Sequence, residues 1–155
     1  MQTVKNSTKI GVVIGLENPR FIIATDTTSN QLRFDFGTKK EQTTGSNSYT
    51  ILNNRYLVSI DKGKCYVNNE PISIDMSNET EFTSTANIWI GSDNGYPQND
   101  VKFLGNIYSV KIWDNDVLVR DFTPVKRDYD GTYGLLDKVN NKFYRSATVD
   151  GFTFE

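Results

Sequence analysis

Phe103-Leu104-Gly105-Asn106-Ile107-Tyr108-Ser109-Val110-Lys111-Ile112-Trp113-Asp114, followed after Asn115-Asp116 by Val117-Leu118-Val119-Arg120-Asp121-Phe122, is the stretch on which the fold turns. Two runs rich in β-branched and aromatic residues flank Asp114-Asn115-Asp116, whose side chains bond nearby backbone and tolerate unusual φ, so the stretch reads as a β-hairpin. Within it Phe103, Gly105 and Ile107 share one parity and Val110 and Ile112 the other. A bulge near Tyr108-Ser109 that resets the register, or cover on both faces, would account for the break.

Outward from this hairpin the pattern repeats. Residues 9–17 are dense in Val and Ile, residues 21–25 form a second short strand, and Gln31-Leu32-Arg33-Phe34-Asp35-Phe36 alternates so that Leu32, Phe34 and Phe36 share a core-facing side. Residues 38–48 are polar and read as a long connection before a short strand at 49–51. Residues 55–60 and 64–67 flank Asp61-Lys62-Gly63, a second hairpin signal, and Asn68-Asn69-Glu70-Pro71 turns the chain into residues 72–76. Strand character resumes at 86–91, and residues 131–137 and 141–144 close the series around Val139-Asn140-Asn141. Turn signals every 8–12 residues or so, without sustained helical periodicity, predict an all-β antiparallel sandwich or barrel. A chain of 155 residues, 12% aromatic, suits one such domain over residues 1–155.

Composition narrows the chemistry. A formal charge of −2 offers no field for a polyphosphate, so nucleic acid is not an expected partner, and Lys39-Lys40 and Lys126-Arg127 read as solvated loop pairs. The chain has no His, which removes His-based triads and imidazole zinc sites, and its one Cys, Cys65, suits a buried strand position. The first residues lack a signal-peptide pattern, and the longest apolar run, 10–16, is too short to cross a membrane as a helix.

With these strands placed, Phe103-x-Gly105-x-Ile107-x-x-Val110-x-Ile112-Trp113, preceded by Ile88-Trp89-Ile90-Gly91, resembles the final strands of concanavalin A-like, laminin-G-like lectin sandwiches. The continuation Val119-Arg120-Asp121-Phe122-Thr123-Pro124-Val125, with Gly134-Leu135-Leu136-Asp137 and Asn141-Lys142-Phe143-Tyr144, is similar to the tail of such domains in gut bacterial surface proteins and phages. The resemblance covers residues 85–150 well and the earlier part loosely, and it speaks for fold more than for activity. It implies a jelly roll and a further strand ahead of residues 8–16, where only Met1–Ser7 stand. The expected sandwich therefore lacks its leading strand, as a trimmed piece of a larger protein or one completed by another chain.

Laminarinase-like enzymes of this fold carry Glu-x-Asp-x-Glu on one strand. Here Glu79-x-Glu81 has no third acid and Asp35 stands alone between Phe34 and Phe36, so these acids read as solvated and no enzyme is expected. Binding a carbohydrate needs less: an exposed aromatic face and polar groups for the hydroxyls. Trp89 with Asp93, Asn94, Tyr96, Asn99 and Asp100 supplies both, and these six are the candidate ligand-binding residues. The competing reading makes the polar ones ordinary turn residues and gives Trp89 and Trp113 to sheet packing. Asp93, Asn94, Asn99 and Asp100 are also oxygen donors for calcium, but without EF-hand spacing, so no cofactor is expected. The functional expectation is a non-catalytic module recognising glycans on a cell or virion surface. The alternative is a structural or assembly protein, such as a virion component or adhesin piece, binding protein or a second copy of itself through a sheet edge or face.

Overall fold

The computed structural model describes residues 10–16, 19–26, 31–37, 39–44, 54–76, 81–92, 103 and 105–146. Among them every paired strand is antiparallel and no helix occurs, the all-β class expected of a sandwich. The chain divides into two compact units, Met1–Gly105 and Asn106–Glu155.

In the first unit, β1 (Ile10–Leu16), β2 (Arg20–Asp26), β3 (Gln31–Gly37) and β4 (Lys39–Thr43) form a meander, with β8 (Trp89–Ile90) on the far side of β1. Val, Ile and Phe are concentrated in β1, β2 and β3, which bury residues on both faces. Pairing of Phe21 with Phe36, Ile23 with Phe34 and Thr25 with Leu32 puts the three expected core residues of β3 on one buried face. Phe82 closes one end of that face against Phe21 and Phe36, with ring centroids 6.4 and 5.1 Å away. The opposite face carries Val12, Ile22 and Ala24 as a fully buried cluster. A bulge at Val13 reverses the parity of β1, so Val12 joins this cluster while Ile14 and Leu16 line up with Ile23 and Phe21.

A separate three-stranded sheet of the same unit comprises β5 (Val58–Asp61), β6 (Lys64–Val67) and β7 (Glu70–Asp75). Lys62 and Gly63 join β5 to β6, and Asn68 and Asn69 join β6 to β7, each pair with both φ positive as the two-residue type I′ turn requires. Cys65 is buried in β6, as its apolar setting implied.

The second unit is a four-stranded meander of β9 (Val110–Asp114), β10 (Val117–Lys126), β11 (Tyr133–Asp137) and β12 (Lys142–Arg145). The opening hairpin is real, and Asn115 and Asp116, with φ of 48° and 63°, form its I′ turn. Its details differ from expectation. Residue 103 and residues 105–109 are not strand, and the bulge lies at Val119 in β10, between the Leu118–Trp113 and Arg120–Ile112 pairs. The parity of 103–107 therefore never bore on the ladder. β4 occupies part of what read as the polar connection 38–48, since backbone pairing to β3 outweighs low β-propensity. Residues 54–57 and 86–88 are not strand, and β7 begins at Glu70, inside the expected turn. The expected strand at 49–51 lies outside the described residues.

Two buried carboxylates hold the units internally. Asp35 is fully buried, not solvated as its isolation in the sequence suggested, because β3 is covered on both sides; its Oδ2 lies 3.2 Å from Arg20 Nε and 3.4 Å from Arg33 Nη2. Asp137 Oδ1 accepts hydrogen bonds from the backbone N–H groups of Asp121 and Val139, each at 3.1 Å, and Oδ2 accepts from Asn140 Nδ2 at 2.7 Å. Arg120 Nε stands 3.7 Å from the same Oδ2. Burial alone would raise the Asp137 carboxyl, but these donors and the Arg120 charge outweigh it and hold it below the usual carboxylate range.

Candidate functional site

Of the six residues named from the sequence, Trp89 lies among the described residues; Asp93, Asn94, Tyr96, Asn99 and Asp100 lie outside them. Trp89 pairs with Gly15, Gly15 with Ile22, and Ile22 with Asp35, so the four occupy one row across the same sheet face. Gly15 offers no side chain beside the indole, which is half-buried. The Trp89 Nε1–H is shielded from solvent and has no hydrogen-bond acceptor among the described residues. Gly91, with φ of 79°, ends β8 directly after it; its N–H donates to Val13 O at 2.8 Å and its carbonyl accepts from Phe103 N at 3.0 Å. This pins the strand end that carries Trp89. Among the described residues no group of three His, Cys, Asp or Glu could hold a metal ion.

The second unit presents aromatic surface that sequence reasoning gave to packing. The register places Lys111 and Trp113 of β9, Leu118, Asp121 and Thr123 of β10, Gly134 and Leu136 of β11 and Phe143 of β12 on one face. Trp113 is 57% exposed, against the competing reading that gave it to sheet packing. A signal was present: Trp113 alternates with Val110 and Ile112 and so shares its side of β9 with the charged Lys111. Lys111 Nζ stands 3.8 Å from Asp121 Oδ2, a donor and acceptor pair on the same face.

At the other edge of this face Phe143 lies over Gly134, where an added Cβ would fall 2.5 Å from the ring. The Arg127 guanidinium lies over both the Phe143 and the Tyr129 ring, 4.5 Å from each centroid. Asp130 holds it from the side, accepting from Arg127 Nε at 3.1 Å and also from Nη2. The loop is closed by Arg127 N to Thr132 O and Gly131 N to Arg127 O, both 2.9 Å, and by Thr132 N to Asp130 Oδ1 at 3.0 Å. The Arg127 hydrogen bonds push the Asp130 carboxyl down to about 2, and the same contact raises Arg127. Tyr129 is thereby held on a stacked cation while remaining 79% exposed. Lys126-Arg127 is thus no ordinary solvated pair: Lys126 Nζ also sits 5.2 Å from the Tyr133 ring centroid.

Chemically, the second unit offers two exposed rings, Trp113 on the sheet face and Tyr129 in the loop beside Phe143, with paired charged groups able to donate and accept near each. Comparison with known protein families, with curated proteins and with solved structures finds no match to this chain.

Proposed function

We propose that this chain is a non-catalytic recognition module for carbohydrates displayed on a cell or virion surface. The observation that carries the reading is Trp113, an exposed indole on a regular sheet face, flanked by the Lys111–Asp121 pair. An indole face suits the C–H side of a sugar ring, and the charged pair suits its hydroxyls. The laminin-G-like resemblance of residues 85–150 implies the same kind of role. The non-catalytic part of the reading is supported by the buried acids: Asp35 and Asp137 are each engaged by arginines or backbone and side-chain N–H groups within their own sheets.

A glycan array probed with wild type, Trp113→Ala and Trp89→Ala tests this. Binding to at least one glycan, weakened about tenfold by loss of one ring, is the expected outcome; tenfold corresponds to about 1.4 kcal/mol. No glycan bound at any density would overturn the reading. A structural or assembly role then takes its place, favoured by β1, which β8 pairs through only Ile14 and Gly15 among the described residues.

A further inference from the structure

Resting on that reading, we infer that the ligand is an uncharged linear glycan bound along its length, lying across the four-stranded sheet from Trp113 to Tyr129. Trp113 and Phe143 belong to one face by register, and Tyr129 stands next to Phe143 across the Arg127 guanidinium. Phe143 is level through Leu136 with Thr123, one residue past the Phe122–Val110 pair, whereas Trp113 lies three residues on the other side of that pair. The two positions are three strand spacings apart, about 14 Å, and four residues apart along the strands, about 13 Å, which gives about 20 Å on the diagonal. No single sugar ring spans that distance. A ligand that touches both ends is a chain of several sugars.

The chemistry between the ends fits such a chain. The diagonal passes Lys111, Asp121, Thr123 and Leu136, so hydroxyl-binding groups stand between two apolar ends. A protein partner would instead favour a contiguous apolar centre with charge kept to the rim. Lys111 is matched with Asp121 and Arg127 with Asp130, and Arg145, opposite Gly134 on the edge strand, is a further cation on this face, so its charge is mixed and does not form a continuous cationic patch for an acidic polymer. The far anchor is built ahead of binding. Arg127, clamped by Asp130 and lying over both Phe143 and the 79% exposed Tyr129 ring, restrains that ring ahead of binding, so less side-chain freedom remains to be lost when a sugar stacks on it.

The test is isothermal titration with uncharged gluco-, xylo- and manno-oligosaccharides, β-1,3- and β-1,4-linked, from the monosaccharide to the hexamer. Wild type, Trp113→Ala, Tyr129→Ala and Arg127→Ala are compared, with thermal melts to confirm folding. The expected result is affinity that rises with chain length and then levels off. Each substitution lowers affinity for the longest oligomer about tenfold and flattens the length dependence. Binding that is independent of length, or that survives Tyr129→Ala and Arg127→Ala, overturns the inference while leaving glycan recognition standing. So does binding abolished by Trp89→Ala alone, or restricted to acidic or branched glycans on the array. Failure of every glycan on the array removes the underlying reading and this inference with it.

Discussion

Replacing Gly134 by alanine sets two opposed effects against each other, and the structure decides the sign. Away from any clash, Gly→Ala at a strand position stabilises by about 0.4–1 kcal/mol, because the unfolded chain loses freedom. At Gly134 the added Cβ would fall 2.5 Å from Phe143 Cζ and 2.8 Å from Phe143 Cε2, and it also overlaps the Tyr144 carbonyl oxygen. The ring can turn away at the cost of its packing. The carbonyl belongs to the β11–β12 ladder, where Leu135 pairs with Tyr144, so β12 itself must shift. Overpacking of this kind costs about 1–3 kcal/mol, so after the opposing gain a net destabilisation of about 1 kcal/mol is expected. For a chain of this length that lowers Tm by about 2–4 °C. Urea unfolding followed by circular dichroism reads the same change as a lower midpoint at unchanged slope. Repeating the substitution in a Phe143→Ala background separates the two obstacles: most of the cost persists there if the backbone oxygen is the obstacle that matters. A Gly134→Ala chain as stable as wild type, or more so, would refute the reasoning.

Asp137→Asn removes the carboxylate that ties Asp121, Val139, Asn140 and Arg120 together, and is expected to lower stability at neutral pH in thermal melts. Because the folded Asp137 carboxyl lies below its unfolded value of about 3.9, its contribution is present above that pH and is lost as pH falls through the folded value; the variant's melting temperature should therefore depend less on pH below about 4. The carboxyl carbon of Asp130 should titrate near 2 by NMR in wild type and return toward the ordinary range in Arg127→Ala, and an unchanged midpoint in the variant would exclude Arg127 as the cause. Thr44→Val leaves the buried Leu32 N–H without the hydroxyl that accepts from it at 3.1 Å, so a loss of about 1–3 kcal/mol is expected in urea unfolding.

The strands were legible in the sequence wherever alternation and turn chemistry agreed. Leu32, Phe34 and Phe36 point inward because their period of two is unbroken, and Asn115-Asp116, Asn68-Asn69 and Lys62-Gly63 mark turns whose φ values only a few residue types accept readily. β4 was hidden because Lys39-Lys40-Glu41-Gln42-Thr43 has no apolar period, and its strand character comes from pairing with β3. The part of the candidate site in the second unit was hidden for a different reason. Arg127, Asp130 and Phe143 come from two segments that only the β11–β12 hairpin brings together, and no spacing within either segment encodes that meeting.

The bulges at Val13 and Val119 carry most of the remainder, and each decides what stands beside a tryptophan. Without the extra residue at Val13, Gly15 would share the face of Phe21 and Phe36, and Trp89 opposite it would go there too. With it, Trp89 stands on the face of Ile22, Asp35 and the two arginines. In β10, an unbroken strand would give Leu118 the parity of Arg120 and Phe122; the extra residue at Val119 turns Leu118 to the face of Trp113 instead, where it sits directly opposite the indole. Val119 O accepts from Arg120 Nη1 at 2.7 Å and from Asn140 Nδ2 at 3.5 Å, and Asp137 receives the Asp121 N–H just beyond, so the irregularity is held by named partners. A bulge is set by which backbone groups find partners across the ladder, and Val13 and Val119 look in sequence like any other strand valine. Alternation therefore predicts the core strands well and fails where the register changes; of the four such places among the described residues, Val13 and Val119 are the ones that choose the surroundings of Trp89 and Trp113.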